Sequence, residues 1–185
     1  MPHYRRSHRC WGTYFLTVVT HDRFPLFADA TARTLLGHAM RMTFETHPLT
    51  VHEMVLLPEH LHILCSVGDE TQDYSFRIQQ FKRRFTRAWL AAGGREGARN
   101  ASRQRSGERA VWQRRFHEHT IRNDREFRDH VAYTLMNPVK HKRVKRAADW
   151  PWSTIHRHLR NGELTPDWCG PVQLRGVGDP GGELW

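Results

Sequence analysis

Cysteine is scarce in this 185-residue chain, and long apolar runs are absent. The three cysteines, Cys10, Cys65 and Cys169, are odd in number and form no Cys-x-x-Cys pair. This pattern argues against a zinc ribbon or a disulfide framework, indicates a reducing compartment and leaves Cys65 as a core residue. No run approaches the roughly 18 apolar residues of a membrane span, and no apolar signal segment stands at the N-terminus. We therefore expect a soluble, cytoplasmic protein.

Acidic residues are also few, with 19 Asp and Glu against 29 Lys and Arg, which gives a net charge of +10. Such an excess indicates a polyanionic partner, because basic side chains that neutralise phosphates release counterions and gain affinity. An anionic membrane is the rival partner, but the sequence has no long amphipathic helix with a broad apolar face beside its basic residues. Nucleic acid is therefore the expected partner, and membrane binding is not expected.

The order of the apolar patterns predicts an α+β fold. Strands are expected over residues 11–20, 49–57, 60–67 and 111–121, and helices over 29–47, 73–92 and 124–136. This order is typical of a ferredoxin-like antiparallel sheet with helices packed on one face. We expect one domain over residues 1–170, in which the Arg- and Gly-rich residues 93–110 form a flexible loop that nucleic acid could order. The Gly- and Pro-rich tail, 171–185, is predicted to be disordered.

Two histidines stand two residues apart in the segment Leu57-Pro58-Glu59-His60-Leu61-His62-Ile63-Leu64. Successive strand side chains alternate between faces, so His60 and His62 point one way while Leu61 and Ile63 point the other. Two neutral imidazoles with open coordination positions suit a catalytic divalent ion better than a closed structural site. The chain has 14 histidines, so the spacing alone leaves an equal alternative, two exposed strand histidines with no ligand role.

The last predicted helix carries a tyrosine away from its apolar stripe. Apolar residues at four-residue spacing predict that buried stripe: Phe127, Val131 and Leu135. Tyr133 lies two residues from its nearest stripe residues and is predicted to project about 200° away from them. Asn137 follows one turn later and shares the side of Tyr133, although Pro138 disfavours helical geometry at Asn137. A tyrosine and an asparagine are therefore expected to emerge together from a core-packed helix.

A tyrosine beside two metal-binding histidines is typical of phenolate attack on a phosphodiester. The phenol is a poor nucleophile at its usual pKa near 10, so a cation must stabilise the phenolate and draw charge from the phosphoryl oxygens. The attack leaves a phosphotyrosine that retains the energy of the broken bond. A strand end can then reverse the step, which gives cleavage and rejoining without ATP.

Five blocks in order resemble the single-tyrosine HUH transposases related to IS200/IS605 elements, specifically the REP-associated tyrosine transposases. The blocks are Tyr4-Arg5-Arg6, Leu57 to His62, Val111 to Phe116 with Glu118-His119, Tyr133 to His141 and Asp149 to Ser153. The resemblance implies that His60 and His62 bind Mg²⁺ or Mn²⁺, that Tyr133 forms a 5′-phosphotyrosine, and that Asn137 completes the metal sphere. It also implies single-stranded DNA as substrate, with recognition of bacterial REP hairpins and a short guide sequence 5′ of the hairpin foot.

Several basic side chains are candidate phosphate contacts: Arg5, Arg6, Lys82, Arg83, Arg115 and Lys140. The alternative function is a catalytically silent hairpin-binding protein that acts in regulation or genome organisation. A third is an RNA-processing nuclease, which would use the 2′-hydroxyl as its nucleophile. The predicted location is the bacterial cytoplasm, in association with the nucleoid, and both a monomer and a homodimer are compatible with the sequence.

Overall fold

A four-stranded antiparallel sheet forms the centre of the protein, as seen in a computed structural model that describes residues 12–68 and 74–170. The strands are β1 (Gly12–Val19), β2 (Thr50–Leu56), β3 (His60–Val67) and β4 (His117–Ile121). The helices are α1 (Ala30–Thr46), α2 (Tyr74–Ala91), α3 (Ala101–Arg105), α4 (Asp124–Lys140) and α5 (Ile155–Arg160). The strand order β2-β3-β1-β4 with antiparallel neighbours is that of a ferredoxin-like sheet. The predicted α+β class is therefore confirmed.

One face of the sheet packs against α1 and α2. The side chains from β1 and β3 that point to this face are Tyr14, Leu16, Val18, Leu61, Ile63 and Cys65. They meet buried residues of the two helices, among them Leu36, Ala39, Ile78 and Phe81. Cys65 is a core residue, as predicted, and burial raises the pKa of its thiol to about 12.

Helix α4 packs on the opposite face, so the expectation that the helices share one face is wrong in this detail. Tyr133 of α4 forms a buried cluster with Phe15 of β1 and Leu64 of β3. On its other side, α4 packs Leu135 against Ala147 and Ile155 of the following segments. Because α4 is covered on both sides, Tyr133 is only 2% exposed, and its side of the helix faces the sheet.

The predicted strand over 111–121 is shorter than expected. Trp112 makes a single bridge to Thr20, and regular pairing with β1 covers only residues 117–121. The reason is that Val111, Trp112 and Phe116 pack into the core beneath α1 and α2 and do not alternate between the two sheet faces.

Residues 93–110 contain helix α3 where a flexible loop was predicted. The Asn100 side chain caps this helix by accepting a hydrogen bond from the Arg103 backbone N–H. Glu96 pairs with Arg109 at 2.9 Å across the segment, so a local cap and ion pairs stabilise this conformation.

Helix α4 begins after its cap, Asn123, and continues through Pro138 to Lys140, beyond the predicted end at residue 136. Burial of Pro138 in the fold offsets the backbone hydrogen bond that proline cannot donate. Arg5, Arg6 and the tail 171–185 lie outside the described residues. Within the described ranges, no helix combines the length and the apolar character needed to cross a bilayer.

Candidate metal and tyrosine centre

His60 and His62 lie side by side on β3, on the face that α4 covers. Both side chains are completely buried, and their ring centroids are 4.7 Å apart. The alternation of strand side chains predicted this shared face. The alternative of two exposed strand histidines is contradicted by their burial.

Glu59 holds His60 through the ring nitrogen Nδ1, which lies 3.0 Å from the Glu59 carboxylate. Burial would raise the pKa of Glu59, but the hydrogen bond and charge of His60 and the charge of Arg143 lower it on balance. A carboxylate only accepts, so Nδ1 of His60 carries a hydrogen, and Nε2 is the ring nitrogen whose lone pair can bind a metal. That Nε2 is buried and has no hydrogen-bond partner among the described residues.

Thr17 of β1 plays the corresponding part for His62, with its hydroxyl oxygen 2.9 Å from Nδ1. The Nε2 of His62 is likewise buried without a hydrogen-bond partner in the described part of the chain. Burial, followed by the nearby charges of His60 and His141, lowers the pKa of His62 well below its usual value. The imidazole of His62 is therefore neutral at physiological pH, which is the form that binds a metal.

Tyr133 lies against this pair. Its ring centroid is 5.4 Å from that of His62 and 5.6 Å from that of Phe15. Lys140, two turns later on α4, leans back along the helix, so that its Nζ lies 3.4 Å from the Tyr133 hydroxyl and 4.7 Å from the ring centroid. A positive charge beside the phenol oxygen favours the phenolate.

Asn137 occupies the turn of α4 between Tyr133 and His141. Tyr133 contacts the ring of His62, and His141 lies 5.2 Å from the ring of His60, so the helix carries Asn137 past the two imidazoles. Asn137 is completely buried, and neither its Oδ1 nor its Nδ2 has a hydrogen-bond partner in the described ranges. A buried amide left in this state is costly unless a ligand satisfies it.

The donor set fits a divalent ion. Three of the buried atoms without partners here can donate a lone pair to a metal: Nε2 of His60, Nε2 of His62 and Oδ1 of Asn137. The described residues contain no group of three or more His, Cys, Asp or Glu side chains that could bind a metal. An ion would therefore depend on the amide oxygen and on oxygens from outside the chain, as Mg²⁺ and Mn²⁺ commonly do.

The other predicted site residues are dispersed. Lys82 and Arg83 belong to α2, on the far face of the sheet, where Lys82 donates to the backbone carbonyl of Gln113 at 2.9 Å. Arg115 is exposed just before β4, whereas Lys140 lies at the tyrosine. Arg77, which also belongs to α2, is buried and donates to the carbonyl of Pro48.

Sequence reasoning missed three residues of the centre: Thr17, Glu59 and His141. Glu59 directly precedes His60 in the sequence, and His141 is the last residue of the block that begins at Tyr133. The position of each within these motifs could therefore have indicated a role in the site. Thr17 carried no such signal, because its role depends on the register that pairs it with His62 across β1 and β3.

Two related proteins match this sequence over nearly its whole length. The chain is 36% identical over 172 residues to the REP-associated tyrosine transposase of Escherichia coli strain K12, and the match covers 93% of each protein. It is 35% identical over 179 residues to a Haemophilus influenzae protein that carries the same designation provisionally, with 97% of this chain and 99% of the relative covered. No protein-family model matches the chain.

A solved structure titled as a REP-associated tyrosine transposase bound to a REP hairpin has the same fold. It aligns with a TM-score of 0.77 at 35% identity, over 97% of this chain and 98% of that one. Two relatives above 30% identity over nearly the whole length, together with this structural match, decide the family. The chain belongs to the REP-associated tyrosine transposases, a family of DNA transposases, as its five sequence blocks predicted.

Proposed function

We propose that this protein nicks and joins single-stranded DNA at REP-type hairpins, with Tyr133 as the nucleophile and a 5′-phosphotyrosine as the intermediate. The observation that carries the proposal is the position of Tyr133, which lies between the imidazole of His62 and the ammonium of Lys140. Family membership supports a transposase activity, and the related structure bound to a REP hairpin supports the substrate class.

His60, His62 and Asn137 would hold Mg²⁺ or Mn²⁺. When bound, the ion would supply Lewis-acid polarisation of the scissile phosphate. Glu59 and Thr17 contact Nδ1 of the two rings, which leaves both buried Nε2 atoms for the ion. The support for this assignment is the set of buried donor atoms without partners.

The reaction of Tyr133 balances without a further co-reactant. The phenol loses its proton, its oxygen attacks the phosphorus, and the bond from phosphorus to the 3′ oxygen breaks. The 3′ oxygen takes up a proton, and the 5′ phosphate stays on the tyrosine. The released 3′-hydroxyl, or another strand end, can attack the phosphotyrosine and restore a phosphodiester. Lys140 favours the phenolate and is the exposed part of this centre, where an incoming phosphate would meet the protein.

All of these side chains come from one chain. A centre assembled within one chain needs no residue from a second copy, so both a monomer and a homodimer are compatible with it. The homodimer alternative would leave the same residues in each site. Sedimentation of the protein during turnover separates the two states.

The experiment uses a hairpin oligonucleotide with a single-stranded 5′ flank, in the presence of Mg²⁺ or Mn²⁺. We expect a denaturant-resistant protein–DNA adduct that disappears in Tyr133→Phe and persists in Tyr14→Phe, a matched control for a buried tyrosine on the opposite sheet face. Cleavage by Tyr133→Phe at the wild-type rate would overturn the proposal.

The same assay separates the alternatives. A catalytically silent hairpin-binding protein would retain the hairpin in a binding assay and yield no adduct in the wild type. An RNA-processing nuclease would cleave RNA and leave no protein-linked product.

A further inference from the structure

A second candidate site lies on the face of the sheet away from Tyr133. A cavity of about 540 Å³ opens between α2 and the segment over residues 103–114. Six cationic side chains line it: Lys82, Arg83, Arg87, Arg103, Arg109 and Arg114. One acidic side chain, Glu108, lies among them. The volume is in the range of sites that hold a ligand of nucleotide size.

The cations on the two walls differ in their partners. On the 103–114 wall, Arg114 pairs with Glu108 at 2.6 Å, and Arg103 donates to backbone carbonyls. On the α2 wall, Arg83 and Arg87 pair with no carboxylate among the described residues, and the helix itself contains no Asp or Glu. The α2 wall therefore presents positive charge that the described protein does not neutralise.

Trp112 provides an independent observation. It lines the cavity and is 5% exposed, and its indole Nε1 has no hydrogen-bond partner among the described residues. Lys82 holds its Nζ 5.8 Å from the ring centroid. An indole nitrogen can only donate, so a buried one without an acceptor is costly until an acceptor arrives. A phosphate oxygen satisfies both this donor and the surrounding positive charge.

The register of the sheet relates this cavity to the tyrosine centre. Trp112 bridges to Thr20, and the backbone N–H of Thr20 donates to the carbonyl of Glu59, the residue before His60. The cavity and His60 therefore lie at the same end of the sheet, on opposite faces. A nucleic-acid strand that passes round this end of the sheet could reach both the cavity and the tyrosine centre.

We propose that this cavity binds phosphodiester groups of the DNA substrate and anchors the nucleic acid while the scissile phosphate lies at Tyr133. The identity of the DNA rests on the proposed function. The chemistry of the site, a cationic wall beside an unsatisfied donor, stands without it. The backbone that occupies the cavity comes either from the paired stem of the hairpin or from the single-stranded flank, and both present the same phosphodiester chemistry.

The test compares two charge-reversed proteins of equal net charge. Arg83→Glu with Arg87→Glu alters the cavity, and Arg41→Glu with Arg160→Glu alters exposed positions on α1 and α5. Binding of a flanked hairpin is measured against salt. We expect the cavity variant to lose about tenfold or more affinity relative to the control, with a salt slope reduced by about 1 for each lost phosphate contact. Equal losses in both proteins would mean a general effect of net charge and would overturn the proposal.

Two further arms identify the source of the phosphates. A blunt hairpin and an unpaired strand of the flank sequence are titrated separately, and the one that loses affinity in the cavity variant is the occupant. ATP is the third probe, and if it binds as tightly as the oligonucleotides, the cavity is a free-nucleotide site and the DNA proposal fails.

The indole N–H of Trp112 gives a measurement that distinguishes loss of the binding site from loss of stability. We expect its indole N–H resonance, assigned by its loss in Trp112→Phe, to shift when the DNA is added to the wild type and not when it is added to Arg83→Gln with Arg87→Gln. No shift in the wild type would overturn the assignment. These experiments measure binding, so they test the role of the cavity even if no tyrosine adduct forms. Failure to form the adduct would contradict the proposed function of Tyr133 without contradicting the proposed role of the cavity.

Discussion

Thr17 and His62 face each other across the β1–β3 ladder, and the Thr17 hydroxyl oxygen lies 2.9 Å from Nδ1 of His62. Both strands are central in the sheet, so the hydrogen bond fixes the ring from a rigid support. The orientation of His62 therefore depends on a side chain 45 residues away in sequence.

Thr17→Val tests this support, because valine keeps the shape of threonine and removes the hydroxyl. We expect Mn²⁺ affinity to fall by about 10- to 100-fold, the usual effect of losing an outer partner of a metal-bound histidine. Calorimetric titration of Mn²⁺ measures it. Thr13→Val is the matched control, since Thr13 makes a similar bond to Ser66 on the same strand pair. Equal Mn²⁺ affinity in wild type and Thr17→Val would contradict the role given to Thr17.

Asn137 is tested by a pair of substitutions with opposite expectations. Asn137→Ala removes the buried oxygen, and we expect at least about a tenfold loss of Mn²⁺ affinity. Asn137→Asp retains an oxygen donor and adds negative charge, so Mn²⁺ binding should be kept or strengthened. The increase in Tm on addition of Mn²⁺ measures Mn²⁺ binding by each variant. Asn161→Ala, at the exposed end of α5, is the control. If the alanine variant gains as much Tm from Mn²⁺ as the wild type, Asn137 is not a ligand.

Lys140 is expected to act on Tyr133 and not on DNA affinity alone. In Lys140→Met the stem stays and the charge near the phenol is lost, so adduct formation at saturating DNA should slow by on the order of 100-fold. Lys140→Arg should recover most of the rate, because it restores the positive charge. Lys145→Met, an exposed lysine of the following segment, is the control. A Lys140→Met protein that binds DNA weakly but reacts at the normal maximal rate would make Lys140 a phosphate contact only.

The stability of the C-terminal region should depend on pH through His158. Its Nε2 lies 2.7 Å from the buried Glu53 of β2, and its Nδ1 lies 2.5 Å from Glu163. Burial alone would lower the pKa of His158, but the hydrogen bonds and charges of the two carboxylates raise it on balance. A folded pKa above the unfolded value near 6.5 stabilises the fold fully below that value, and the contribution is lost as pH rises through the folded pKa.

Urea unfolding of the wild type and of His158→Gln between pH 5.5 and 8.5 measures this contribution. The stability advantage of the wild type should be largest at the acidic end and should shrink as the pH rises above about 6.5. His38→Gln, an exposed histidine of α1, controls for the general effect of losing an imidazole. If the stability advantage of the wild type stays constant across this pH range, protonated His158 does not stabilise the fold through the two carboxylates.

Local patterns were sufficient for much of the fold and for the pair of histidines. The two-residue period of a strand places His60 and His62 on one face whatever packs above them. Apolar spacing likewise predicted α1, α2 and the sheet strands within a few residues, apart from β4. The limits of β4 and α3 could not be predicted, because buried aromatic residues and ion pairs decide them through contacts distant in sequence.

Periodicity fixes the angle between two side chains on one helix, and the spacing therefore placed Asn137 on the side of Tyr133. It cannot say how many sides of that helix another element will cover. The sheet covers one side of α4, and residues near Ala147 and Ile155 cover another, so the phenol is buried against His62 and does not face solvent. The contact of Thr17 with His62 joins two segments that are distant in sequence. The cationic cavity likewise lies between two separate segments, α2 and residues 103–114. Both depend on packing and strand register, which no single segment encodes.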